Sequence, residues 1–282
     1  MRNLRRRSLS IFTILLFLTA NLTPAQAKAE VIFEGYYKVS LGGVHSGYAI
    51  QRYELDAKKK EFASTYYLYV RTSPDGKKFL TESLVTKSND KFHPKNYSYT
   101  SIQNGQPTTI DGKFSKGKLL ATINKNGKPL KKTKVVPQGT FMSTMLIFLI
   151  LQKGIGVGKN FSFNAIAEED AEIMPGSVSI TKEVPFKGRK AFKMDYEFKG
   201  VKSVAYLGQE GHAIFTEAPL QKVSTELVTS ASEATASFPF PKKTLKALFG
   251  GIPTGQKNEL VNSKPMPEKP ASPKSSLKAE DQ

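Results

Sequence analysis

The chain has 282 residues, a formal net charge of +18 and no cysteine. Without cysteine no disulfide framework can hold it, so its stability must come from a hydrophobic core. A cation of this size is drawn to anionic surfaces, but the sequence has no RNP signature, zinc-finger spacing or helix-turn-helix pattern, so nucleic acid is not an expected partner.

The first 27 residues read as an export signal. Arg2, Arg5, Arg6 and Arg7 precede the short apolar stretch 9–20, and Ala25-Gln26-Ala27 supplies small residues at a cleavage position. The apolar stretch is too short to cross the ~30 Å hydrocarbon layer comfortably. The expectation is a protein exported to the periplasm or beyond, with one β-rich domain over residues 28–252. Residues 253–282, with five prolines among Lys, Glu and Ser, read as a disordered tail.

Between these ends the pattern is that of strands. Val31, Phe33, Gly35, Tyr37, Val39 and Leu41 alternate with period two until Gly42-Gly43 turns the chain. Phe62, Ser64, Tyr66, Leu68, Val70 and Thr72 alternate again up to Pro74-Asp75-Gly76. Residues 79–86 predict a further strand. Strands at 97–103 and 119–124 lead into Asn104-Gly105 and Asn126-Gly127, both strong hairpin signals. Beyond residue 160 the segments 161–167, 178–184, 192–198, 201–207, 213–216 and 220–229 continue the series. About a dozen short strands with Gly-rich turns imply antiparallel meanders, each sheet burying one face.

One segment breaks the pattern. "TFMSTMLIFLILQKG", residues 140–154, has seven consecutive apolar residues at 145–151, too few for a membrane span. Met and Leu suit a helix, Thr140 is placed to cap its start and Gly154 to end it. A helix apolar nearly all round must be surrounded, and here only sheets can surround it. The expected fold is therefore mainly β: an antiparallel meander curved into a half-barrel or barrel around one central apolar helix.

The chain resembles uncharacterised exported bacterial proteins of the domain-of-unknown-function 3108 type. The resemblance is carried by "YYKVSLGGVHSGYA" (36–49), "FHPKNYSYT" (92–100), "TTIDGKFSKGKLLATI" (108–123), "TMLIFLILQKGIGVGKNFSFNAI" (144–166) and "YLGQEGHAIFTEAPL" (206–220). These are a strand with a Gly turn and second Gly, a Pro-x-x-Tyr strand, a short strand pair, a helix with Gly-rich turn, and a closing strand. A looser likeness is to the half-barrels that carry lipoproteins across the periplasm. The resemblance implies no catalytic residue.

Several motifs invite a chemical reading. "GIGVGKN" (154–160) lacks the P-loop spacing and has Asn160 where Ser or Thr belongs, and a preceding helix presents its negative end to it; a helix stop and turn fits better. His45, His93 and His212 stand apart without ligand spacing, so no metal or cofactor is expected. No nucleophile elbow is present, and the protein reads as non-enzymatic. The acidic run Glu168-Glu169-Asp170-x-Glu172 lacks the calcium-loop alternation and reads as a solvated loop.

Two binding readings remain. Lysines cluster at Lys125, Lys128, Lys131, Lys132 and Lys134, and strand geometry puts Lys128, Lys132 and Lys134 on one face. They would hold an anionic envelope component, a lipid headgroup or wall polymer, or an envelope protein; a charged edge that prevents sheet aggregation is the alternative. On the apolar helix, Phe141, Met142, Met145 and Phe148 would line a cavity for an apolar, lipid-like ligand if the sheet stays open around them, and form core if it closes. The segment 242–249 is a short basic amphipathic helix that would lie on a membrane or cap the barrel mouth.

Overall fold

The computed structural model describes residues 29–260 apart from 74, 256 and 259. The expected export signal and most of the expected tail lie outside the described residues.

Among the described residues, fifteen strands form one continuous sheet. In chain order they are β1 (Glu30–Leu41), β2 (Val44–Asp56), β3 (Glu61–Arg71), β4 (Phe79–Asn89), β5 (Pro94–Gln103), β6 (Gln106–Ser115), β7 (Lys118–Lys125), β8 (Lys128–Val135), β9 (Phe141–Met142), β10 (Asn160–Ala167), β11 (Glu172–Phe186), β12 (Arg189–Phe198), β13 (Val201–Leu207), β14 (Ala213–Ala218) and β15 (Val223–Val228). Among the described residues three α-helices accompany the sheet: α1 (Leu146–Lys153), α2 (Ala231–Thr235) and α3 (Lys242–Phe249). The sheet order runs β8 to β1 and then β15 down to β9. Each strand pairs antiparallel with its chain neighbour, β1 pairs with β15, and the short β9–β10 pair alone is parallel. The fold is thus the expected mainly-β meander, curved into a half-barrel that does not close.

Some turns of the meander sit where dipeptides predict them. Asn104 and Asn126 adopt φ of 52°, each followed by a glycine at φ 83° and 77° respectively, the two left-handed positions of a tight hairpin turn. Gly47 is needed for a different reason. Its Cβ would stand 1.9 Å from the Tyr69 carbonyl oxygen on the neighbouring strand. Because the obstacle is backbone, β2 and β3 would have to separate. Gly47→Ala is expected to cost at least about 1–3 kcal/mol, read as a lowered urea midpoint.

The sheet's two faces are used differently along its length. On the concave side, Phe33, Tyr53, Phe62, Leu84, Tyr97, Tyr99, Ile110 and Leu119 form the main core with Phe141, Met142 and Met145. In β4 to β8 the outward positions are exposed or half-buried, as one-sided sheets require. Strands β1 to β3 depart from that expectation by burying both faces. Tyr36, Tyr48, Ile50, Tyr67 and Tyr69 pack on the convex side beneath Ala234, Leu245 and Phe249. Tyrosine doublets, Tyr36-Tyr37 and Tyr66-Tyr67, put one ring on each face.

The covering segment is anchored at several points. Tyr48 Oη donates to the Pro239 carbonyl (2.8 Å), Arg71 to the Ser237 carbonyl (2.6 Å) and Arg52 to the Phe249 carbonyl (2.6 Å). The 242–249 helix is therefore a cap, laid over the convex face rather than the barrel mouth. Packing continues past Pro253, whose carbonyl accepts from Tyr36 Oη (2.8 Å), to Asn258, which is buried and donates to the Val228 carbonyl (3.1 Å).

The apolar run does not form one rod from Thr140. Phe141–Met142 is a strand against Ala165 and Ile166, Ser143–Met145 is a single 3-10 turn, and the α-helix begins at Leu146. Thr140 caps nothing; its buried hydroxyl has no partner among the described residues. Pairing with the β10 edge satisfies backbone groups that a free helix start would leave open, and that gain outweighs local helix propensity. Gly154 does end the helix, donating to the Leu151 carbonyl (3.0 Å).

Candidate functional site

Helix α1 bridges the two walls of the half-barrel. Phe148 meets Tyr53 and Phe62 edge-on, with ring centroids 4.6 and 4.8 Å apart. Ile150 is buried against Val178, Ile180, Met194, Ala205 and Leu207 of the opposite wall. Between helix and sheet lies a cavity of ≈ 320 Å³. Leu146 and Ile147 form its floor; Phe163, Met194, Phe198 and Leu207 are its apolar wall; Tyr53, Ser143, Thr144, Tyr196 and Thr216 add hydroxyls. Leu146 and Ile147 are half-buried; they line this space and also pack against the core clusters of both walls.

Phe141, Met142, Met145 and Phe148 are expected to line a cavity or to form core. Phe141, Met142 and Met145 are core, with Met142 and Met145 fully buried. Phe148 is half-buried and engaged with Tyr53 and Phe62. None of the four lines the cavity; the next residues along, Leu146 and Ile147, do. The sequence located the helix but not its rotation, since an all-apolar helix has no polar face to mark its inner side.

The lysine cluster is divided. Lys128, Lys132 and Lys134 share a face as strand alternation requires, but Lys132 and Lys134 both pair with Glu172, Lys134 at 3.0 Å, and Lys132 also donates to the Asp170 carbonyl (3.2 Å). These contacts join the β8 edge to the start of β11, across the gap where the sheet stays open. Both lysines are thereby committed within the molecule, while Lys125, Lys128 and Lys131 remain exposed.

The acidic run supplies the other half of this seam, which corrects its reading as a solvated loop. Glu172 takes Lys132 and Lys134, while Glu169 and Asp170 take Lys199. Glu168 turns inward and is 1 % exposed. Its Oε2 accepts from Ser143 Oγ (2.6 Å) and its Oε1 from Thr144 Oγ1 (3.3 Å). Burial, the largest influence, pushes its carboxyl up to about 7, against the opposing Ser143 hydrogen bond. Glu82 is also raised by burial, though it accepts a hydrogen bond from Tyr99 Oη (2.7 Å).

The histidines do not converge. His45 bonds to the Gly47 carbonyl (3.0 Å) and lies edge-on to Phe238, while His93 bonds to Asn89. His212 is buried and stacks on Phe33 with centroids 4.1 Å apart, and burial pushes its imidazole down to about 4. Among the described residues no cluster of three His, Asp or Glu has metal-holding geometry, and no helix is long and apolar enough to cross a membrane.

A continuous antiparallel half-barrel plugged by one short apolar helix defines a barrel-like β protein. Among solved structures, the chain is similar to a β-barrel-like protein of domain of unknown function DUF1849 from Brucella abortus, with 12 % identity and a TM-score of 0.51, over 70 % of this chain and 97 % of that one. A DUF1089 family protein from Pseudomonas aeruginosa matches with 13 % identity and a TM-score of 0.36, over 59 % of this chain and 87 % of that one. The first likeness supports the fold. No family model matches the chain, and no curated protein does. Of the expected family resemblance, the coarser part holds: the first structural neighbour is a β-barrel-like protein of a domain of unknown function.

Proposed function

We propose that the protein is a non-catalytic, exported binding protein that holds an apolar, lipid-like ligand between the curved sheet and α1. The observation that carries this reading is the ≈ 320 Å³ cavity with an apolar floor and wall. Ligand pockets run from about 300 to 1,000 Å³, so the space suits one acyl chain or a small apolar molecule rather than a two-chain lipid. Export is supported by the arginine-flanked apolar start of the sequence. The finer resemblance to the 3108-type exported proteins and to periplasmic lipoprotein carriers belongs to the same reading.

A second role, docking on an anionic envelope component, is supported by the exposed Lys125, Lys128 and Lys131 at one hairpin. It is the weaker reading, because Lys132 and Lys134 are paired with Glu172.

The test is titration with the neutral fluorescent probe N-phenylnaphthylamine. Wild-type protein is expected to give one saturable, blue-shifted binding phase. Ala213→Phe, which places a ring in the cavity, is expected to remove it. An equal signal from both proteins, or no saturable phase in wild type, would refute the reading.

A further inference from the structure

One turn fastens the open side of the half-barrel. The sheet ends at β8 and at β9, and no ladder joins these ends. The turn 168–172, which carries β10 into β11, reaches out in three directions. Glu172 takes Lys132 and Lys134 from the β8 edge, Lys134 at 3.0 Å, and the Asp170 backbone carbonyl accepts from Lys132 Nζ (3.2 Å). Glu169 (2.6 Å) and Asp170 take Lys199, which sits in the turn between β12 and β13. Glu168 turns inward and accepts from Ser143 Oγ (2.6 Å), Thr144 Oγ1 (3.3 Å) and the Thr144 N–H (3.5 Å).

Two of these directions end at the cavity wall. Ser143 and Thr144 line the cavity. Lys199 directly follows Phe198, which lines the cavity together with Phe163, the two ring centroids 6.1 Å apart. The third direction crosses the gap: among the described residues, the ion pairs that span it are the two made by Glu172. These contacts have the strength of a latch rather than of a core. Part-exposed ion pairs contribute little each and weaken with salt, and the six side chains involved are between 27 % and 49 % exposed. Strand β8 itself has no buried residue, and a segment without buried contacts opens at a small free-energy cost.

Resting on the reading of the cavity as an apolar-ligand site, we propose that the turn 168–172 is a latch that controls passage of the ligand into and out of that cavity. While Glu172 holds β8 and Lys199 holds the turn, the half-barrel is shut. Release of these pairs lets the β8 edge and the turn part, and opens a way past Ser143, Thr144, Phe163 and Phe198. Lys132 and Lys134 thus serve the site without touching the ligand: they set how fast it exchanges rather than how tightly it binds.

The test uses the absence of native cysteine. Lys132→Cys with Glu172→Cys places the only two thiols of the full chain on either side of the gap. A short bis-methanethiosulfonate reagent bridges them and dithiothreitol removes the bridge, so one protein is compared locked and unlocked. Stopped-flow fluorescence follows association and dissociation of N-phenylnaphthylamine, which is neutral and is not steered by charge. The bridged protein is expected to exchange the probe at least about tenfold more slowly than the unbridged, both rates falling together as a gate requires. Wild type, which needs no substitution, is expected to exchange severalfold faster at about 0.5 M sodium chloride than at low salt, while the bridged protein stays slow at both. Equal rates with and without the bridge, or wild-type rates that do not respond to salt, would overturn the latch while the cavity stands. If wild type shows no saturable probe binding, the cavity reading falls and this inference falls with it.

Discussion

Glu34→Ala is expected to lower the unfolding free energy by about 3–5 kcal/mol, the usual cost of stripping one partner from a buried ion pair. Glu34 points to the convex face of β1 and is 4 % exposed. It accepts from Arg52 Nε (2.6 Å), from the backbone N–H groups of Thr254 and Gly255, the latter at 2.7 Å, and from Thr254 Oγ1 (3.3 Å). Arg52 in turn donates to the Phe249 carbonyl (2.6 Å), with its guanidinium 5.1 Å from the Phe249 ring centre. One carboxylate therefore ties β1, β2, the end of α3 and the chain beyond it. Its loss leaves a guanidinium and two amide donors buried without their acceptor. Urea unfolding reads the energy, and faster amide exchange over 242–255 shows where the structure loosens. Glu34→Leu combined with Arg52→Met, which removes both charges, is expected to cost much less.

The pH dependence of stability supplies the second large effect. Glu168 is held at about 7 against an ordinary 4.5 by burial. The folded protein therefore keeps a proton that the unfolded chain has released. A raised carboxyl favours folding most fully below about pH 4.5, and this contribution is lost as pH rises through 7. The difference amounts to roughly 3 kcal/mol. Wild type should lose about that much relative to Glu168→Gln between pH 4 and pH 8, measured as the gap between their unfolding curves. His212 has the opposite sign: pushed down to about 4 from 6.5 by burial, it favours folding above pH 6.5 and that contribution disappears as pH falls through 4. The two trends oppose each other between about pH 4.5 and 6.5, so the gap to Glu168→Gln, rather than the wild-type curve, isolates the carboxyl.

The strands were legible because alternation and turn dipeptides are local signals. β3, β4, β5 and β7 lie within three residues of the spans their sequences predict, and α3 matches residues 242–249. What escaped was decided by contacts distant in sequence. Phe141 and Met142 look helical beside Leu146 to Ile150, yet they pair with Ala165 and Ile166. The short helix α2 had a readable signal, Ser230 three residues before Glu233, and the Ser230 hydroxyl does accept from the Glu233 N–H (3.3 Å). The double-sided burial of β1 to β3 was written in adjacent tyrosines, which strict period-two reading passes over. The seam pairs of Lys132 and Lys134 with Glu172 have no local pattern at all, because opposite ends of the meander supply the partners.

The most direct test of the proposed ligand site is native mass spectrometry of the protein purified from its own cells without detergent. Wild type is predicted to carry a single bound molecule that organic solvent extracts and chromatography identifies as an apolar chain compound, and Ala213→Phe, folded by circular dichroism, is predicted to come out empty. Wild-type protein that is uniformly ligand-free, or a variant that carries the same molecule at the same occupancy, would contradict the account.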